Sequence, residues 1–564
     1  LTASAPGLVL PGRFNPWLIG SGVIALAVLS PIVALAFAAS RGTDELWRHL
    51  LAYVLPVAIR DTFLLLAGVG ILTAVVGTLT AWLVTAYDFP GRRVLGWALL
   101  LPLAVPTYIV AYAYLDLLHP VGPVQTALRA LAGIENPRDL RLPDIRTLTG
   151  CVFLLGFVLY PYVYLTTRAM FLMQTANLLD TARTLGIGRR RLFLRVALPL
   201  ARPAAVVGLS LALMEALNDI GASEFLGVRT LTVSIYTTWV SRSDLPGAAQ
   251  IALAMLAVVM GLVWLERWAR RHRRYANEAQ QPRPLTPHKL HGIAAGGAAL
   301  AGWLPVLIGF VAPALYLVDA ALERIRFAGL AGNLVREAAN TVLVSMGATV
   351  LTVICAVIVV YAIRLGRGRL PSAMAGVAAV GYAVPGTVLA IGVLPVVTGL
   401  DGIIDAISVK LLGASTGLLL LGSGTALVYA YLVRFLAVAE GGVSTGFARV
   451  SHSLDDAART LGEGALGRLR RVHAPLMRPA LMTATMLVFV DCMKELPATL
   501  LLRPIGFETL ATHLYGEAAR GTYEDAAIAA LLIVVVGLVP VLILARVSRP
   551  RAVEEDPPDV WLST

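Results

Sequence analysis

The chain has 564 residues, of which 58% are hydrophobic and only 14% charged, against about a quarter charged in soluble domains. With a mean hydropathy of +0.77, that composition excludes an ordinary soluble fold and points to a multi-span membrane protein. The formal charge of +12 does not imply nucleic acid, because the arginines flank apolar runs, as in loops that face anionic lipid.

A spanning helix takes roughly 20 apolar residues, and candidates follow one another along the chain. The first half offers 17–39, 61–86, 94–115, 147–170, 203–221 and 248–268. The first apolar run is longer than the hydrophobic region of a signal peptide and is expected to stay as a helix. A polar linker, 269–290, carries Arg270-Arg-His-Arg-Arg274 and three prolines and reads as a cytoplasmic tether. The second half offers 291–317, 340–363, 373–394, 416–434, 479–496 and 526–544. With the N-terminus inside, most of the 46 Lys and Arg residues fall on the cytoplasmic side.

The halves are copies of one unit. Thr62 recurs as Thr341, Leu72-Thr73 as Leu351-Thr352, and Val105-Pro106 as Val384-Pro385, each at an offset of 279. Thr230-Leu231-(x4)-Tyr236 recurs as Thr509-Leu510-(x4)-Tyr515 at the same offset. Residues 1–268 and 291–564 are therefore expected to be two repeats. An even number of spans in each makes them parallel rather than inverted. The expected fold is all-α, with twelve transmembrane helices as two fused six-helix repeats.

Each repeat has one Arg-rich polar hairpin between spans. The first, within 175–202, runs Asp180-Thr-Ala-Arg-Thr-Leu-Gly186 and reaches Pro199; the second, within 451–478, runs Asp456-Ala-Ala-Arg-Thr-Leu-Gly462 and reaches Pro475. The acid precedes the glycine by six residues and the proline follows it by 13 in both. Each reads as a short helix, a Gly turn, a second short helix and a proline opening the next span. An amphipathic hairpin on the lipid surface is the plain alternative, but lipid binding does not require one acid–Gly–Pro spacing twice.

These hairpins resemble the "EAA" coupling loop of ABC-importer permeases, in which Asp180, Ala182, Gly186 and Pro199, with Asp456, Ala458, Gly462 and Pro475, would form the ATPase contact. The copies depart from that pattern at Thr181 and Ala474, and both use Asp for Glu. Met493-Lys-Glu-Leu-Pro-Ala-Thr-Leu-Leu-Leu-Arg-Pro504, Phe507-Glu-Thr-Leu-Ala511, Leu213-Met-Glu-Ala-Leu-Asn-Asp-Ile-Gly221 and Phe225-Leu-Gly-Val-Arg-Thr-Leu231 resemble the fused permeases of ferric-iron importers. The resemblance implies two copies of an ATPase subunit, an external substrate-binding protein and residence in the bacterial inner membrane. It leaves thiamine, phosphonate or polyamine as alternative cargoes. The three lysines, Lys289, Lys410 and Lys494, follow no glycine-rich phosphate loop. ATP and Mg are therefore expected on the partner ATPase and no cofactor on this chain, which is not expected to be an enzyme.

Ionisable residues inside spans are functional candidates because they are costly there. Glu215 and Asp219 match Asp491 and Glu495 when counted from Pro199 and Pro475, and Lys494 lies among them. Spacing i, i+4 would put each pair on one helix face, and Glu215 lies roughly 18 Å along its helix from Pro203. Four carboxylates are thus expected on a central cargo path; the alternative is structural pairing with Lys494 and arginines. Tyr108, Tyr112, Tyr114, Tyr160, Tyr162, Tyr164 and Tyr382 are further oxygen donors near spans. Arg229 and Arg503, in the outer segments 224–247 and 503–525, are expected to meet the binding protein. Cys151, Cys355 and Cys492 read as small packing residues. An ion-coupled secondary transporter and a membrane scaffold remain the readings from other classes.

Overall fold

The structure, a computed structural model, describes residues 16–547 except 43, 135, 137–138, 141, 174–187, 272–286, 330–331 and 367–368. Apolar helices dominate it. The first half contains α1 (Pro16–Ala39), α2 (Glu45–Ala86), α3 (Arg92–Ala104 with Thr107–Leu117, bent by 92°), α4 (Leu148–Leu172), α5 (Phe193–Asn218) and α6 (Leu245–Trp264). The second contains α7 (Gly292–Phe327), α8 (Leu334–Leu365), α9 (Gly386–Leu412), α10 (Thr425–Ala448), α11 (Ala465–Met493) and α12 (Tyr523–Ile543). Counting the bent pair as one span gives twelve, six in each half.

Proline decides where this plan departs from straight spans. A residue before proline is driven out of the helical region, and the proline has no N–H to donate. Val105 and Val384 accordingly take ψ of 117° and 120°, which breaks α3 and separates α9 from the short helices Arg369–Ala378 and Val380–Ala383. The expected straight span 373–394 is therefore broken at Val384-Pro385, and α9 continues to Leu412. The expected span 416–434 moves to Thr425–Ala448. Ser415, Thr416 and Gly417 instead fold back to donate hydrogen bonds to the Asp405 carboxylate.

Side-chain matches between the repeats have physical partners. Thr62 Oγ1 accepts the backbone N–H of Leu231 at 3.0 Å, and Thr341 Oγ1 accepts that of Leu510 at 2.8 Å. In each half a threonine of the second span thus satisfies a buried helix-start donor. Trp82 packs edge-on against Phe171 at 5.3 Å, and its counterpart Tyr361 stacks on Phe447 at 5.8 Å. The linker's last residues are held too: His288–Lys289 pairs in parallel with Tyr87–Asp88. Most of the expected linker lies outside the described residues.

Thr341→Val keeps the volume but leaves the Leu510 N–H buried without an acceptor, at a cost of about 1–3 kcal/mol. Thermal unfolding of the detergent-solubilised protein should show a lowered midpoint that Thr341→Ser largely restores; an unchanged midpoint for the valine variant contradicts the assignment.

Candidate transport cavity and coupling loops

Two helices end at matched places inside the apolar region. Helix α5 stops at Asn218, with Asp219 extended at ψ 125°, and the short helix Gly221–Phe225 follows. Helix α11 stops at Met493, and Pro497–Leu502 follows. In such surroundings each new helix start needs acceptors from the protein itself. Asp219 supplies them in the first half. Its carboxylate accepts the Ser223 N–H at 2.9 Å and the Thr107 hydroxyl. Glu495 does the same in the second half, accepting the N–H groups of Ala498 and Thr499 at 3.1 Å and the Thr499 hydroxyl at 2.9 Å. Both acids are buried. The expectation of two carboxylate pairs on continuous helix faces is corrected here, because each helix ends before its second acid.

Between the halves lies a cavity of about 170 Å³, whose lining includes Glu215, Asn218, Asp219, Asp491, Lys494 and Glu495 with Arg434, Tyr108, Tyr162 and Tyr382. Lys494 Nζ lies 2.9 Å from Asp491 Oδ1, and Arg434 Nη1 lies 3.6 Å from Glu495 Oε1. Both ion pairs stay within the second half. A polar bridge across the halves runs through Asn218, whose Oδ1 accepts from Arg434 Nη1 at 3.1 Å and from the Gly386 N–H at 2.7 Å. A Cβ at Gly386 would sit 2.3 Å from Arg434 Nη1 and 2.7 Å from Glu495 Oε1, so a side chain there would displace this ion pair. Among the described residues, Glu215 has no hydrogen bond or ion pair, although Arg434, Lys494, Asp491 and Glu495 all act on it electrostatically.

The other tyrosines are placed elsewhere. Tyr114 and Tyr164 donate to the carbonyls of Ile308 and Gly96 at 2.7 Å, Tyr112 donates to that of Tyr523, and Tyr160 is fully buried. The three cysteines are free thiols. Among the described residues no group of three His, Cys, Asp or Glu side chains is placed to hold a metal ion.

The second polar hairpin has the expected shape with one correction. Ser451 caps the helix His452–Thr460, and Gly462 follows with φ +83°. The glycine turn is closed by the Glu463 N–H donating to the Ala458 carbonyl at 3.0 Å. The second short helix, Ala465–Arg468, then runs through a π turn, Leu469–His473, directly into the span. Pro475, like Pro199, sits in the first α-helical turn after a π turn and starts no separate helix. Ala458 is buried, whereas Asp456 is exposed and lies 3.8 Å from Arg459. Asp180, Ala182 and Gly186 lie outside the described residues.

The acid that anchors this hairpin is Asp455, which sequence reasoning missed. Its buried carboxylate accepts from Arg364 Nε at 2.8 Å and lies 2.8 Å from His473 Nε2. Arg364 also donates to the carbonyls of Phe447 and Val450 at 2.9 Å. Burial pushes the Asp455 carboxyl up, but Arg364 and His473 outweigh it and hold it below its ordinary value. At the repeat offsets, Arg364, Asp455, Arg468 and His473 correspond to Thr85, Leu179, Leu192 and Ala197. The ionic anchor therefore has no counterpart in the first copy's sequence.

On the opposite face the two outer segments meet. Phe225 stacks on Tyr515 at 5.5 Å, and the Tyr515 hydroxyl donates to Glu224. Arg229 is exposed, while Arg503 is paired with Glu508.

Residues 74–275 match the family described as the binding-protein-dependent transport system inner membrane component. That segment carries the membrane component of an ABC importer, and the whole chain resembles the inner-membrane permeases of this class that are built as two fused repeats. It is similar along almost its whole length to an Fe(3+)-transport system permease protein, FbpB 2, of Haemophilus influenzae, with 22% identity covering 90% of this chain and 92% of that protein. A probable ABC transporter permease protein of Sinorhizobium fredii is 24% identical over 88% of each chain. The molybdenum transport system permease protein ModB of Escherichia coli is 29% identical over 35% of this chain and 84% of its own length.

Asp455→Asn leaves the Arg364 guanidinium without its counter-charge and removes the carboxylate partner of His473 Nε2, a loss on the order of 3 kcal/mol for a buried pair. Limited proteolysis should cut 451–478 faster in this variant at neutral pH. Because the carboxyl's folded value lies below its unfolded value of about 4, the anchor is complete above that pH. It is lost as the pH falls through the folded value. Wild-type cleavage rates in Asp455→Asn contradict the anchor.

Proposed function

We propose that this permease carries a cation, with ferric iron as the expected cargo, from an external binding protein to the cytoplasm. One observation carries the reading: four carboxylates against two cationic side chains line the cavity shared by the halves, and among the described residues Glu215 makes no hydrogen bond or ion pair, while Asp491 and Glu495 do. An oxyanion entering there would meet excess negative charge, whereas a hard cation would find oxygen ligands. Likeness to the Fe(3+)-transport permease along both repeats supports the same cargo. Glu215 and Asp491 are the proposed cargo contacts; Asp219 and Glu495 act there through the helix starts they hold.

Two ATPase subunits, each binding ATP and Mg, would dock on 175–202 and 451–478, with Gly186 and Gly462 forming the turns. Closure of the ATPase dimer would rock the halves about the cavity, whose contacts must be weak and multiple for cargo to leave. Arg229 and Arg503 would meet the binding protein on the outer face. An ion-coupled secondary transporter would instead move its cargo without any partner.

Reconstituted with its ATPase and binding protein in liposomes, the permease should take up ferric iron only with ATP, and molybdate should not replace it. Molybdate uptake, or ferric uptake by the permease alone down an ion gradient, contradicts the reading. Gly462→Val imposes a left-handed conformation on a β-branched residue, costing roughly 1–2 kcal/mol. That variant should assemble yet lose the rise in ATP hydrolysis that loaded binding protein causes; a wild-type rise contradicts the coupling role.

A further inference from the structure

The repeats align through the cavity and differ there at two cations: Arg434 stands opposite Val158, and Lys494 opposite Asn218. Glu215 corresponds to Asp491, but Asn218 corresponds to Lys494. In the second half the carboxylate therefore has a cation tethered three residues away, at 2.9 Å. In the first half the matching amide is engaged by Arg434 and the Gly386 N–H, and among the described residues Glu215 makes no hydrogen bond or ion pair of its own, although Arg434 and Lys494 act on it at longer range. The Lys494 and Asp491 side chains are 33% and 29% exposed, so the pair lies on the cavity wall rather than within the packed core.

A cation arriving at Glu215 meets a second carboxylate that is already neutralised. We propose that Lys494 is a resident counter-cation: its ammonium holds Asp491 between transport cycles, yields it to an arriving cationic cargo, and returns to help expel that cargo. Two matched carboxylates with no competitor would hold a multivalent cation too well to release it. One free carboxylate and one that must be taken from an ammonium give capture without trapping. The flexible four-carbon stem of lysine suits such an exchange better than the planar, bidentate fork of arginine. The inference rests on the cation-importer reading and gives Lys494 a specificity-determining role within it.

The test compares Lys494→Asn, which installs the first repeat's residue, with wild type in liposomes holding the full complex and ferric-loaded binding protein. With the competitor gone, both the half-saturating concentration and the maximal rate of uptake should fall, each by roughly three- to tenfold. Basal ATP hydrolysis should persist. Wild-type values for both constants in an assembled Lys494→Asn complex overturn the proposal, as does an unchanged rate with a raised half-saturating concentration. If Lys494→Asn does not assemble, Asp491→Asn/Lys494→Asn removes both charges together. Restored assembly with wild-type uptake then identifies the pair as a structural tie and overturns the proposal; restored assembly with a raised half-saturating concentration, as expected when one of the two cargo carboxylates is lost, supports it. Absence of ATP-driven ferric uptake in the wild-type complex overturns the cargo reading itself, before any variant is compared.

Discussion

A helix that ends within an apolar layer must find partners for its backbone inside the protein, because no water is available there. That constraint explains why α5 and α11 stop where they do. Asp219 and Glu495 are spent on the N–H groups of the helices that follow. Once the chain can break at these points, Glu215 and Asp491 are left at the ends of their helices, against a space that both halves line. The matched breaks before Pro106 and Pro385 contribute to the same wall. The cavity is thus a product of satisfied helix ends rather than of a gap between straight spans.

The two repeats share this frame and differ in the charges placed upon it. Threonine caps, aromatic brackets and proline breaks recur in both halves. Around the second hairpin, however, Arg364, Asp455, Arg468 and His473 form a buried ionic group whose counterparts in the first repeat are Thr, Leu, Leu and Ala. An ion pair in such a place fixes geometry while demanding complete partners. In the proposed mechanism the two ATPase contacts are therefore held by different forces, and the two faces of the cavity present different charges to the cargo.

Much of this was legible in the chain. Apolar length marked the spans, and the 279-residue offset paired Thr62 with Thr341 and Leu231 with Leu510 before either hydrogen bond was known. The roles of individual acids were not legible. Asp219 and Glu215 differ by four positions, and only the helix end at Asn218 separates a cap from a cavity group. Asp455 and Asp456 are adjacent in sequence, yet the buried one is identified only through Arg364, 91 residues away. Local periodicity carries no information about such partners. The expected span 416–434 failed for a related reason: its first residues are drawn back to Asp405 by hydrogen bonds that apolar length does not register.

The central claim is that matched acids four residues apart do different work. Glu215→Gln and Glu495→Gln, assayed side by side for thermal stability and for ATP-driven ferric uptake, test it most directly. The account predicts that Glu215→Gln melts like wild type but takes up iron slowly, whereas Glu495→Gln lowers the melting temperature because a buried helix start and Arg434 lose their anion. Equal melting temperatures for the two variants, or a destabilised Glu215→Gln with normal uptake, would contradict it.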